Sequence, residues 1–84
     1  MKMHIVSIFD RAASLYSRPA FVQSRAAAVR SFGDEVRTPR ENNELNKHPG
    51  DFELHLIGVF DDDTGELTPQ KPERITFGLD HVQS

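Results

Sequence analysis

Lys47-His48-Pro49-Gly50-Asp51-Phe52-Glu53-Leu54-His55-Leu56-Ile57-Gly58-Val59-Phe60-Asp61-Asp62-Asp63-Thr64-Gly65 decides the fold of this chain. It holds a breaker, an alternating strand and a tight turn in succession. His48-Pro49-Gly50 ends any preceding helix. Phe52, Leu54, Leu56, Gly58 and Phe60 alternate onto one face, with Glu53, His55, Ile57 and Val59 on the other. The reading is a half-buried strand with its main apolar face toward a helix. Asp62-Asp63-Thr64-Gly65 then predicts a hairpin turn, because Asp favours the turn and Gly accepts a positive φ at its end.

The elements outward from this strand follow the same logic. After the turn, Glu66-Leu67-Thr68 starts a return strand, Pro69-Gln70-Lys71-Pro72 interrupts it, and Ile75, Phe77 and Leu79 alternate in a last strand. Met3-His4-Ile5-Val6-Ser7-Ile8-Phe9 is apolar on both faces, which predicts a central strand. Leu15 to Val22 reads as an extended edge segment, since Pro19 has no N–H to give to a ladder. Ser24 is a helix N-cap candidate. The helix then runs from Arg25 to Val36 or Arg37, with Val22, Ala26, Val29, Phe32, Gly33 and Val36 as its stripe. Thr38-Pro39 ends it. Arg40 to Gly50 is a polar loop with one helical turn around Glu41–Asn46 and Leu45 as its anchor. The expected architecture is α+β: one helix packed on a three- to four-stranded antiparallel sheet.

The 84 residues are read as a single small domain, 1–84, with a flexible tail from about residue 81. A chain of this length buries only about 60–65% of the surface its unfolded form exposes, so pairing with a second copy is a natural source of stability. Without cysteine there is neither a disulfide nor a thiolate metal site. No apolar run approaches the roughly 18–20 residues of a membrane span. Met3–Phe9 is too short and interrupted for a signal peptide. The expectation is a soluble protein inside a cell, with no membrane partner.

The net charge of −3 conceals an asymmetry: residues 1–48 carry eight Lys/Arg against five Asp/Glu, and residues 49–84 carry two against eight. An acidic total argues against an indiscriminate DNA coat, yet a basic first half permits one basic face. Arg30 and Arg37 share one edge of the expected helix. Arg18 and Arg25 lie near its start, Arg40 just past its end, and Tyr16 and Phe21 flank Arg18. Arginines for phosphates beside aromatics for unstacked bases are what single-stranded nucleic acid requires. The competing reading is a solvated face, with Asp34 between Arg30 and Arg37 in an ion-pair ladder worth tenths of a kcal/mol.

Other chemistry is poorly served. Counted from Asp61, Gly65 falls fifth and Glu66 sixth, which breaks a calcium-loop pattern. His4, His48, His55 and His81 have no metal-ligand spacing, although His4 and His55 are placed to meet across neighbouring strands. The serines sit in no strained elbow, and the five glycines are too far apart to cradle a phosphate. We expect neither enzyme, metal nor cofactor. Val6, Ile8, Ile57 and Val59 are expected to be apolar on the side away from the helix, and a dimer would bury them.

The chain also resembles the small non-structural protein of gokushovirus-type Microviridae, bacteriophages with single-stranded DNA genomes. The resemblance is carried by Ile5-Val6-Ser7-Ile8-Phe9-Asp10, Pro19-Ala20-Phe21, and Ala28-Val29-Arg30-Ser31-Phe32 with Asp34 and Val36. It continues through Leu45-Asn46-Lys47-His48-Pro49-Gly50-Asp51-Phe52-Glu53-Leu54 and Ile57-Gly58-Val59-Phe60-Asp61-Asp62-Asp63-Thr64-Gly65. It implies a non-enzymatic phage protein of the host cytoplasm that binds DNA and controls the switch from duplex replication to single-strand genome synthesis. On the residues, single-stranded DNA contacts fall to Arg18, Arg25, Arg30, Arg37, Arg40 and Tyr16. The alternative is a homodimerising module that docks on a phage or host replication protein.

Overall fold

The computed structural model describes residues 1–82. Its strands are β1 (Lys2–Asp10), β2 (Leu15–Tyr16), β3 (Ala20–Val22), β4 (Phe52–Asp61) and β5 (Glu66–Phe77). The helices are α1 (Arg25–Val36) and the single turn α2 (Glu44–Lys47), with 3₁₀ turns at Pro49–Asp51 and Gly78–His81. The sheet is antiparallel, in the order β2-β1-β4-β5, with β3 also pairing with β1. The α+β class holds. The five strands, two of them very short, and the second helix exceed the simpler architecture read from the sequence. Pro19 splits the edge segment into β2 and β3, as a residue without an N–H must.

Ser24 caps α1 as expected: its Oγ accepts the Ala27 N–H at 3.0 Å. The far end of α1 is closed by the polar loop. Asn43 donates to the Glu35 and Thr38 carbonyls at 2.9 and 2.8 Å, and Asn46 donates to the Val36 carbonyl at 2.8 Å. These asparagines satisfy carbonyls that a helix end leaves without partners. The buried stripe of α1 is Ala28, Phe32, Gly33 and Val36. Ala26, expected in that stripe, is exposed, and Ala28 takes its place. Phe32 and Val36 pack on Val6, Leu54 and Leu56, with Ile8, Val22, Leu45 and Ile75 around them.

The alternation of β4 departs from expectation at one point. Val6 pairs with Leu56 but Ile5 pairs with Gly58, so Ile57 is an extra residue in the ladder. A bulge of one residue reverses every side chain beyond it. Leu54 and Leu56 therefore face α1, whereas Gly58 and Phe60, expected beside them, face away. The Phe60 ring meets Phe21 edge-on at 5.6 Å on that reverse side. Strand β5 accommodates its two prolines by the same device. Leu56 and Gly58 lie opposite Glu73 and Pro69, so Gln70–Pro72 arch out of the ladder.

The hairpin turn after β4 is as read from the sequence, with Gly65 at φ +75°. The expected tail from residue 81 is corrected at its first residue. His81 closes the last 3₁₀ turn, bonds Thr76 Oγ1 at 3.0 Å and sets its ring edge-on to Phe32 at 5.7 Å. Gln83 and Ser84 lie outside the described residues. This turn is held against Pro49–Asp51 by a close backbone approach: a Cβ at Gly78 would lie 2.1 Å from the Pro49 carbonyl oxygen. Gly78→Ala is expected to destabilise the protein by about 1–3 kcal/mol in urea unfolding, the usual range for overpacking. Gly50→Ala, whose Cβ would meet Leu79 at an ordinary 3.6 Å, is expected to stay within about 1 kcal/mol of wild type.

Candidate nucleic-acid interface

The structure separates the basic residues into two groups. Arg25 is ion-paired with Glu73, Arg37 with Asp34 at 3.0 Å, and Arg40 with Glu35. Arg37 also reaches the His81 carbonyl at 3.4 Å. Arg18 and Arg30 have no carboxylate within 4.0 Å among the described residues. The expected Arg30–Asp34–Arg37 ladder is thus only half formed. Arg18 lines an apolar cleft of about 200 Å³ between the sheet and α1, which it shares with Val6, Ile8, Phe32, Ser31 and Leu54. Exposed pairs of this kind contribute little to stability, but each places a negative charge beside a cation that would otherwise meet a phosphate.

Tyr16 belongs to a different surface. It pairs with Phe9 across β1–β2, on the face of the sheet opposite α1. Its ring lies 4.7 Å from that of Phe9, and its hydroxyl is 3.0 Å from His55 Nδ1. His55 Nε2 in turn is 2.8 Å from Glu53 Oε1, and Glu53 Oε2 is 3.6 Å from Arg11 Nε. Glu53 and His55 are buried, while Tyr16 is 45% exposed. A neutral His55 that donates from Nε2 to Glu53 presents Nδ1 as the acceptor for the phenol. The order phenol, imidazole, carboxylate parallels that of nucleophile, base and orienting group. Here it pins the Tyr16 ring on an open strand surface.

The neighbouring strand continues the face. Glu53 lies opposite Phe77 and His55 opposite Arg74. The Arg74 guanidinium carbon stands 4.0 Å from the centre of the Phe77 ring. Sequence reasoning missed this cluster, although its signal was present: Glu53 and His55 at alternate positions of one strand share a face.

The expected apolar face is corrected in part. Val6 is buried in the core beneath α1 and Ile8 packs against that core, so neither is available to a dimer on the far side. Met3–Phe9 carries apolar residues in both phases, Met3, Ile5 and Phe9 in one and Val6 and Ile8 in the other, so its parity is set by its partners. Val59 falls on the helix-bearing face, beside Lys2 and Thr68, because of the bulge. Ile57 does lie on the reverse face, with Ile5, Phe21, Leu67 and Pro69. His4 and His55 do not meet: His4 is opposite Val59, and Ser7 is opposite His55.

Asp61, Asp62 and Asp63 bring carboxylate oxygens within 4.8 Å of one another. The Met1 ammonium sits among them, 2.7 Å from both Asp62 and Asp63. Its hydrogen bonds to Asp62 and then Asp63 raise its pKa above the ordinary 8.0 of an α-amino group. The clustering is accounted for by this cation. No helix of the described residues is long and apolar enough to cross a membrane.

The fold defines a small α+β domain, an antiparallel sheet with α1 packed on one face. The chain belongs to the phage ORF5 protein family, whose model matches residues 3–81. No curated protein and no solved structure matches it.

The Tyr16–His55–Glu53 chain makes a stability prediction. Tyr16→Phe is expected to cost about 1 kcal/mol in urea unfolding, the net worth of one hydrogen bond. Glu53→Leu is expected to cost about 1–3 kcal/mol, because it leaves His55 Nε2 buried without a partner. A double-mutant cycle between them should return a coupling of at least about 0.5 kcal/mol, and additivity would show that the chain does not act as a unit.

Proposed function

We propose that this phage protein is a non-structural, non-enzymatic single-stranded-DNA-binding protein of the gokushovirus type. It acts in the host cytoplasm on the switch from duplex replication to single-strand genome synthesis. Membership of a phage family and the distribution of charge support the reading. The observation that carries it is the segregation of the cations. Arg18 and Arg30 have no carboxylate within 4.0 Å among the described residues, with Glu35 across the cleft from Arg18 and committed to Arg40, while Asp61–Asp63 gather at the hairpin and Glu73, Asp34 and Glu35 against Arg25, Arg37 and Arg40. Three guanidiniums without an ion pair among the described residues, Arg18, Arg30 and Arg74, and an acidic total charge describe a weak, patch-directed binder rather than an avid coat.

A second reading is a homodimer that docks on a phage or host replication protein. It is favoured by the apolar end of the reverse face, where Phe21 is 50% and Leu67 54% exposed beside Ile57 and Pro69. Paired copies would remove these side chains from water. Light-scattering mass on wild type and Leu67→Asp reads this directly: a dimer that becomes a monomer supports it, and a wild-type monomer at high concentration removes it.

The DNA reading is tested by fluorescence anisotropy with a labelled single-stranded oligonucleotide across a salt series. Each phosphate contact on a single strand adds about 0.7 to the slope of log K against log salt. Arg18→Ala with Arg30→Ala is expected to weaken binding and lower that slope by about 1.4. Arg37→Ala, already neutralised by Asp34, is expected to change the slope by less than about 0.3. An unchanged slope in the double variant would remove Arg18 and Arg30 as phosphate contacts.

A further inference from the structure

Four strands place side chains in a row across the face opposite α1. Tyr16 on β2, Phe9 on β1, Glu53 on β4 and Phe77 on β5 are successive cross-strand neighbours. Ser7, His55 and Arg74 form the adjacent row. Three inter-strand steps of about 4.8 Å put Tyr16 and Phe77 about 14 Å apart. Tyr16, 45% exposed, and the exposed Arg74 stand at the two ends of this patch, while Ser7, Glu53 and His55 between them are buried.

We infer that this row is a stacking platform for the unpaired bases of single-stranded nucleic acid, with Tyr16 and the Arg74-capped Phe77 as its two stacking positions. The inference rests on the single-stranded-DNA reading above and moves its base contacts from the flank of α1 to the open face of the sheet.

Three properties of the row fit that ligand and no purely apolar one. The first is charge. Arg11 and Arg74 border the row, and Glu53 is the one carboxylate at its strand positions. Glu53 is buried, with its oxygens committed to His55 and Arg11. The acidic side chains of β4 and β5 otherwise project from the helix-bearing face or the hairpin, as Glu73 does toward Arg25. Arg74 has no carboxylate within 4.0 Å among the described residues. The exposed Asp80 at that end of the row is turned to the Phe77 N–H and the Thr76 hydroxyl, at 3.4 and 3.5 Å, so a phosphate is drawn to the Arg74 end.

The second is preorganisation. The Tyr16 ring is held by Phe9 beneath it and by the hydroxyl bond to His55. A ring already fixed loses little freedom when a base stacks on it. The third is the Arg74–Phe77 pair. A guanidinium plane over an aromatic ring is itself a flat, positively charged surface of the kind on which bases stack.

The chain supplies its own reporter. Tyr16 is the sole tyrosine and there is no tryptophan, so intrinsic emission reads this one ring. The full chain is titrated with a labelled oligodeoxythymidine, recording tyrosine emission and anisotropy on the same sample. Emission is expected to fall in step with the rise in anisotropy and to saturate at the same ratio. Tyr16→Ala is expected to weaken binding by about 5- to 150-fold, the range of one base–aromatic stack, with the salt slope unchanged. Arg74→Ala is expected to lower the slope by about 0.7. Far-ultraviolet circular dichroism shows that the variants are folded. A blank-corrected anisotropy rise with unaltered tyrosine emission, and wild-type binding by folded Tyr16→Ala, would overturn the platform and leave DNA binding to Arg18 and Arg30. No anisotropy change with the wild-type chain would instead overturn DNA binding itself, and the platform with it.

Discussion

One extra residue in β4 determines what the two faces of this sheet can do. Ile57 has no partner of its own between Leu56, opposite Val6, and Gly58, opposite Ile5. Before it, the even positions of β4 pack beneath α1. After it, they turn to the other side. Phe60 thereby leaves the core and joins Phe21, and the reverse face acquires an aromatic end and an apolar end on one surface. With a regular ladder, Phe60 would sit on the helix-bearing side instead of beside Phe21.

Charge is sorted by the same geometry. The helix-bearing face brings Glu73 to Arg25, and the helix brings Asp34 and Glu35 to Arg37 and Arg40. These exposed pairs add little to the free energy of folding. Their consequence is electrostatic: three of the five arginines that the sequence gathers around α1 lose most of their attraction for an outside phosphate. The Asp61–Asp63 turn gathers its carboxylates about the Met1 ammonium, far from the row that begins at Tyr16. The arginines left without a carboxylate within 4.0 Å, among the described residues, are Arg18, Arg30 and Arg74, since Arg11 is paired with Glu53.

Much of the fold was legible because local chemistry decided it. Ser24 through its hydroxyl, and Thr38-Pro39, His48-Pro49-Gly50 and Gly65 through their backbones, each act locally and mark their boundaries within a residue or two. The membership of the faces was not legible to the same degree. Met3–Phe9 carries apolar residues in both phases, each broken by one polar residue (Ser7 or His4), so whether Val6 or Ile5 faces the helix depends on partners distant in sequence. A bulge has no signature in a run such as Leu56-Ile57-Gly58-Val59, which reads as unbroken alternation. The candidate site suffered from the same limit. Residue type and spacing collected the arginines, but pairing with Glu73 and Glu35 is a tertiary fact. The Tyr16–His55–Glu53 chain links residues 39 apart at its first contact and shows only when β1 comes between them.

The account stands on where an unpaired strand would touch this sheet. Amide chemical-shift mapping of the full chain with an unlabelled oligodeoxythymidine reads that contact residue by residue. The account predicts the largest changes at Phe9, Tyr16, His55, Arg74 and Phe77, smaller ones at the phosphate contacts Arg18 and Arg30, and Arg25, Arg37 and Arg40 nearly still. Changes concentrated along α1, with the Tyr16 and Phe77 signals unmoved, would contradict it.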